Sequence, residues 1–490
     1  MADALTGLAA VYNYQGRHGE EEPLTKRALT IYERSLGPEH PRLVSALNNL
    51  AALYSMQGRY AEAEPLAKRT LAIREKARGS EDPSVAWSLG SIAQLYAHQE
   101  RYVEAELLAK RALAIQEKAF GPQHPTVADA LDDLAALYLD QGRYAEAEPL
   151  AKRTLAIREA ALGPMHPHLA LSLKKLAKLY AARGRHFEAE SLAKRTLAIR
   201  EAALGLKHSG VAIDLNDLAR LRLEQGDFAG AAESWQRATA ILAYRAELGL
   251  GGSAGGSSRA EAQRNSGHFD GLIKTTHRLS AEGGGNAKQV SLEMFETAQW
   301  ARSSEAARSL ALMALRGASA DPVLATLVRE RQDLAAEWQG KDNQLVVARG
   351  NAPEKRNAQN EMELVERLGA IDVRVAEIDT IFKQKFRNYA TLTSPKPATL
   401  AEVQAKLGDD EALVVFLDTD DGFKPLPEET FVWVVTKTDV RWVGSKLGTA
   451  ALTEKVKALR CGLDPASWES DSEACLKLTG GPAPGADTKL

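Results

Sequence analysis

Apolar residues in the first half of the chain recur at the spacing of one helix face, and the same helix returns every 42 residues. Leu5, Leu47, Leu89, Leu131, Leu173 and Leu215 open the pattern, and Leu8, Leu50, Ile92, Leu134, Leu176 and Leu218 follow three positions later. Ala9, Ala51, Ala93, Ala135, Ala177 and Ala219 come next, then Tyr12, Tyr54, Tyr96, Tyr138 and Tyr180, with Arg222 in the last copy. Positions i, i+3, i+4 and i+7 form one stripe of an amphipathic helix. The unvarying alanine has a steric reason, since helices cross closely only where a side chain is small. A turn follows each stripe, as in Gln57-Gly58-Arg59-Tyr60 and Gln141-Gly142-Arg143-Tyr144. After it, Ala63, Leu66, Leu71 and Ile73 with their copies give the apolar side of a longer second helix.

Backbone chemistry marks the boundaries. Gly37, Gly79, Gly121, Gly163 and Gly205 stand where the long helix stops, as a left-handed cap requires. Pro41, Pro83, Pro125 and Pro167 are expected to open the next helix, where a missing N–H costs nothing. Two-helix units of this kind cannot bury both faces alone, so they stack. The expectation is a mainly α chain that begins with a right-handed superhelix of about six helix pairs over residues 1–248.

The pattern then changes. Residues 249–268 read as a Gly/Ser-rich linker. Residues 269–392 read as a helical region: helices over 269–279 and 290–315, then 322–348 and 354–386 as a long antiparallel hairpin broken at Asn351-Ala352-Pro353. Residues 393–490 predict a short helix at 399–407, a buried strand in the apolar run 412–418, a hairpin from 431–436 and 440–443, and a helix over 449–463. That is the start of an α/β domain.

The repeats, with Gly-Pro-x-His-Pro and Leu-Asn-Asn-Leu-Ala-x-Leu-Tyr, resemble the tetratricopeptide family in its kinesin-light-chain variety. The resemblance implies a protein- or peptide-binding groove lined by the first helix of each repeat. The helical wheel places Ser45, Asn48, Ala52 and Ser55 opposite the core stripe. The copies there vary, and the candidate contacts are Asn48, Gln94, Asp132, Lys174, Lys178, Asn216 and Arg220. Two other repeated features read as structural. His40, His124, His166 and His208 lie at least a helix–helix distance of roughly 8–10 Å apart, too far to share one zinc ion. The ladder Lys26-Arg27, Lys68-Arg69, Lys110-Arg111, Lys152-Arg153 and Lys194-Arg195 has glutamates nearby on the same helices and is expected to form ion pairs.

Composition narrows the function classes. With 62 basic and 65 acidic residues, the balance gives no electrostatic footprint for nucleic acid, and no nucleic-acid partner is expected. No run approaches the roughly 18 apolar residues of a membrane span, and Cys461 and Cys475 are too few for a disulfide scaffold, so a cytoplasmic protein is expected. No phosphate-binding glycine loop, Cys-x-x-Cys or His-Glu-x-x-His is present, so neither a cofactor nor a metal is expected.

Over 269–490 the segments Phe295-Glu-Thr-Ala-Gln-Trp-Ala301, Ser394-Pro-Lys-Pro397, Asp410-Glu-Ala-Leu-Val-Val-Phe-Leu-Asp418 and Thr430-Phe-Val-Trp-Val-Val-Thr436 resemble the entry of a CHAT domain. That family is caspase-like, commonly preceded by tetratricopeptide repeats, and implies a cysteine peptidase with a His and Cys pair. This chain departs from that pattern: all ten histidines lie at or before His277, and Cys475, in Ser472-Glu-Ala-Cys-Leu, lacks the family's Ser-Ala-Cys context. The expectation is a fragment of a longer chain, with the catalytic residues further along and no peptidase activity of its own. The alternative is an adaptor with an inactive caspase-like domain.

Overall fold

A computed structural model of the chain describes residues 1–14, 17–248, 264–281, 283, 287–302, 321–351, 356–393, 396–419, 422–448, 451, 453–455 and 457. Cys461, Cys475, residues 249–263 of the expected linker, the segment 303–320 and most of the expected helix 449–463 lie outside the described residues. The contacts divide the chain into two compact units, Met1–Leu192 and Ala193–Leu490.

The 42-residue register gives twelve helices in six pairs. The first helices are α1 (Ala2–Tyr14), α3 (Leu43–Met56), α5 (Pro83–His98), α7 (Pro125–Asp140), α9 (Leu169–Ala182) and α11 (Ser209–Glu224). The second helices are α2 (His18–Leu36), α4 (Tyr60–Arg78), α6 (Tyr102–Phe120), α8 (Tyr144–Leu162), α10 (His186–Leu204) and α12 (Phe228–Leu248). The division between the two units falls inside α10. The leucine and alanine stripes are buried from repeat two onward, as the pattern requires. In repeat one Ala9 is buried but Leu8 is exposed.

Helix starts depart from the expectation in two repeats. Pro83 and Pro125 open α5 and α7, but Pro41 and Pro167 stand two residues ahead of α3 and α9. There the second residue of the helix also closes at i→i+3, Val44 N–H to Pro41 O and Ala170 N–H to Pro167 O, and the regular helix begins later. The repeated histidine caps α7 and α11, as His124 and His208, and makes the same bond in the turn before α3 and α9. Nδ1 of His40, His124, His166 and His208 accepts the backbone N–H of the residue two further on, at 2.9–3.3 Å. This needs an unprotonated Nδ1. Burial, with Arg245 and Arg200 close by, pushes His208 down to about 4, which keeps its cap neutral.

The repeats are tied by a recurring ionic cluster. In repeat two, Arg59 donates to Glu22 of the preceding repeat at 3.0 Å and to Glu62 of its own at 2.7 Å, while its guanidinium lies 3.9 Å from the Tyr54 ring. Tyr54 Oη also donates to Glu22, at 3.1 Å, and Lys26 completes the cluster at 2.7 Å. The next copies are Arg101, Tyr96 and Lys68 on Glu64, then Arg143, Tyr138 and Lys110 on Glu106. Arg185 and Lys152 meet on Glu148. A second tie pairs Arg69 with Glu33, Arg111 with Glu75 and Arg153 with Glu117, at 2.5–2.7 Å. In the Lys-Arg ladder, Lys26, Lys68, Lys110 and Lys152 are thus paired within their helices and Arg69, Arg111 and Arg153 between repeats.

Within the second unit, α13 (Ser266–Ala281) lies on α12. The approach is close enough that a Cβ at Gly271 would stand 2.4 Å from the Trp235 ring. His268, placed in the linker by composition, is buried in α13, so the helix begins earlier than expected. Helices α14 (Ala287–Ala301), α15 (Pro322–Arg349), α16 (Ala358–Lys385), α17 (Arg387–Thr393) and α18 (Leu400–Gln404) follow. The hairpin is antiparallel: Leu324 and Val328 of α15 meet Phe382 and Ile378 of α16, and Trp338 meets Ile371 and Val375. Strands β1 (Ala412–Thr419), β2 (Glu429–Thr436) and β3 (Val440–Ser445) form an antiparallel sheet in that order.

One face of the sheet, with Leu417, Phe431, Trp433, Val435 and Val440, shares a core with α11, α12, α13 and α14 through Ala219, Trp235, Ile273 and Phe295. The other face carries Val414, Phe416, Val434 and Val443, all exposed. Strand β1 was expected to be buried on both sides. Its apolar run instead has one side on the core, and among the described residues nothing covers the other.

Glu22, Glu106 and Glu148 are held down at about 2, chiefly by hydrogen bonds from Lys26, Arg143 and Lys152 respectively. Unfolded, they titrate near 4.5, so the unfolded chain binds more protons between pH 4.5 and 2. Their stabilisation is complete above that window and is lost as pH falls through it. The thermal midpoint followed by circular dichroism is expected to drop across this range. In a Glu106→Gln variant it should start lower at neutral pH and fall less.

Candidate peptide-binding face

Each first helix turns one row away from the core, because residues three, four and seven apart share a face. The structure separates the seven candidates by what they touch. Asn48 is half-buried and Lys178 exposed, and both stand on this row. Gln94 is exposed and donates from Nε2 to Asp133 Oδ1 at 3.1 Å. Lys174 is half-buried.

Asp132 was placed outside the core by its wheel angle, yet it is 7% exposed. Arg158 of α8 reaches its Oδ2 at 3.3 Å and Lys175 of α9 at 2.8 Å, so this carboxylate joins neighbouring helices. Arg158 also holds Asp129 at 2.8 Å and donates to Ser172 Oγ at 2.5 Å. A helical wheel describes one helix and omits the cations that the next helices bring.

The two candidates in the sixth repeat serve the second unit's own core. Asn216 Oδ1 accepts the Trp235 indole N–H at 2.9 Å. Arg220 donates to the Gly422 carbonyl at 2.7 Å and stands 5.2 Å from the Phe423 ring. Phe423 is buried edge-on to Trp235, and the fully buried Lys274 donates to the Pro427 carbonyl at 2.6 Å. The segment from Gly422 to Pro427, between β1 and β2, thus occupies the surface that Arg220 was expected to offer a ligand. Sequence reasoning also missed the role of the turn arginines, whereas the histidines it read as structural do hold their loops. The recurrence of Arg59, Arg101, Arg143 and Arg185 was the available signal.

Similarity to known proteins lies in the repeats. The family model described as Tetratricopeptide repeat matches residues 1–76, 60–118, 84–160 and 165–243. Residues 1–243 are therefore a tetratricopeptide-repeat array, an architecture whose members bind protein partners. Among solved structures, the nearly identical TPR-like repeats of a putative kinesin light chain from Podosopora anserina are 30% identical, with a TM-score of 0.37 over 41% of this chain and 94% of that one. BtubC (BKLC) from P. vanneervenii is 20% identical, with a TM-score of 0.40 over 49% of this chain and 91% of that one. PilW, a type IV pilus biogenesis factor, is 19% identical, with a TM-score of 0.37 over 49% of this chain and 92% of that one. No curated protein matches the chain. No described helix is long and apolar enough to cross a membrane.

These contacts predict opposite outcomes for two charge reversals. Lys178→Glu should leave stability within about 0.5 kcal/mol, as for an ordinary surface change. Arg220→Glu should cost more, about 0.5–1.5 kcal/mol, because it removes the hydrogen bond to the Gly422 carbonyl and the cation beside the Phe423 ring, although water can reach the exposed carbonyl. Denaturant midpoints of the two variants check the pair, and equal midpoints would show that Arg220 does not hold the 422–427 segment.

Proposed function

We propose that the outward row of the first helices binds an extended segment of a partner protein, and that the chain is the sensor arm of a caspase-like CHAT cysteine peptidase. The observation that carries the first part is the contrast between core and row. Leu, Ala and Tyr repeat almost unchanged, whereas the row reads Asn48, Gly90, Asp132 and Lys174 at one position and Ala52, Gln94, Ala136 and Lys178 at another. Stacking alone does not demand such variation. Asn48, Gln94, Lys174 and Lys178 are the contacts retained, with Asp132 positioning its neighbours.

The second part rests on the sequence resemblance over 269–490. A physical route also runs from the last repeat into the rest of the second unit. Asp372 of α16 accepts from Tyr244 Oη at 2.5 Å, from Trp338 Nε1 at 3.1 Å and from Lys207 at 2.9 Å. Leu248 packs beside Trp338, Ile371 and Val375, and Arg331 donates to the Glu247 carbonyl at 2.5 Å. A change in α12 therefore reaches the hairpin through α16 and the sheet through the 422–427 segment.

An adaptor without peptidase chemistry is the second reading, and one observation favours it. His277, the last histidine of the chain, packs edge-on against Phe431 and Trp442 as part of the sheet's core. Reading the complete gene decides between the two: a His and a Cys in peptidase contexts anywhere in it support the sensor arm, and a gene without them supports the adaptor.

For the binding face, a photo-crosslinking residue is placed at position 48 or 178, and at position 68 or 110 as a control. Peptides selected from a random phage-displayed library by the full chain should crosslink from 48 and 178. Crosslinking from 68 and 110 alone would move the site to the second-helix face.

A further inference from the structure

Trp87 of α5 is 53% exposed on the outward row, where the other repeats carry Asp3, Ser45, Asp129, Leu171 and Ile213. One turn on, the same row has Gly90. A glycine inside a helix is unfavourable relative to alanine, and no positive φ calls for it at this position. Its missing side chain has a geometric consequence. A Cβ at Gly90 would stand 3.6 Å from Asp133 Oδ2 of the next first helix, so that carboxylate oxygen looks directly onto the bare backbone of α5. Gln94, one turn further, holds the other oxygen at 3.1 Å and fixes the carboxylate's orientation. The row thus sets an exposed indole one helical turn from a glycine that faces an oriented acceptor, and we call this stretch from Trp87 to Asp133 the notch.

The local charges decide what the notch takes. The nearby carboxylates Asp129 and Asp132 are both matched by Arg158, and Asp132 also by Lys175. Asp133 is served less fully: burial pushes its carboxyl above the usual range, the Gln94 hydrogen bond and the more distant Lys175 charge offset part of this, and the neighbouring Asp132 and Asp129 add to it. A half-buried carboxylate in this condition is stabilised by a further cation. The exposed tryptophan face is likewise a site for a cation, and for a planar one most of all.

Building on the reading of the first-helix row as a peptide-binding face, we propose that this notch receives an arginine side chain of the partner peptide. Its guanidinium stacks on Trp87 and its N–H fork meets Asp133 Oδ2. Lysine brings the charge without the plane and is the weaker occupant. An acidic or aromatic side chain meets the carboxylate unfavourably or leaves it unpaired.

The peptides selected by the full chain provide the test. Arginine should be enriched at one position of the selected sequences, and replacing it by citrulline, which keeps the plane and removes the charge, should weaken binding by about tenfold or more. Asp133→Asn, Trp87→Ala and Gly90→Gln, the last of which fills the notch, should each abolish the preference for arginine over citrulline. Gly90→Gln and Trp87→Ala should do so without lowering the thermal midpoint of the chain. Selected peptides that lack arginine, or that bind the three variants as they bind the wild type, would overturn the notch and leave the binding face standing. A library that yields no binding peptide would overturn both.

Discussion

The glutamate near the start of the second helix in repeats one to four is the group on which the stacking depends. Glu22, Glu64, Glu106 and Glu148 each receive a lysine from their own helix and an arginine from the following turn, and the first three also receive a tyrosine hydroxyl. One carboxylate thereby joins two repeats at a fixed offset. The tyrosine ring is buried in the stripe while its hydroxyl and face take part in the cluster, so the apolar and ionic contacts enforce one register. Surface ion pairs contribute little singly, and a network of partly buried groups that includes a cation over an aromatic face is the favourable case.

With the register fixed this way, the opposite row of the first helices is left to vary. In the repeats of the first unit that row carries Asn48, Trp87, Gln94 and Lys178 without cost to the core. The sixth repeat ends this freedom. There Arg222 replaces the tyrosine and donates to the Gly230 carbonyl at 2.8 Å, and Asn216, Arg220 and Trp235 hold the structure that follows. Repeat six is built as a junction, and the same 42-residue pattern serves a different end.

The period made the helices legible, because burial of a stripe depends on neighbours within one helix. The strands and the hairpin were legible for a similar reason. Contacts between elements were not. Tyr54 reads as core from its spacing, but nothing local places its hydroxyl on Glu22, thirty-two residues earlier. Asp132 reads as solvent-facing until Arg158 and Lys175 are brought over it, and Arg220 reads as open until Gly422 arrives from the sheet. The apolar run of β1 reads as buried on both sides because an open face and a covered one have the same composition when both are apolar. Pro41 and Pro167 mislead by two residues, since a proline fixes φ without deciding whether the first turn closes at i+3 or i+4.

The central claim is that the ionic cluster, and not the leucine stripe alone, couples one repeat to the next. A double-mutant cycle on Glu106→Gln and Arg143→Gln, read from denaturant midpoints of the full chain, tests it most directly. The account predicts that the double variant is clearly less destabilised than the sum of the two single ones, because either change already breaks the contact between repeats. Strictly additive losses would contradict it and leave the apolar stripe as the sole source of register.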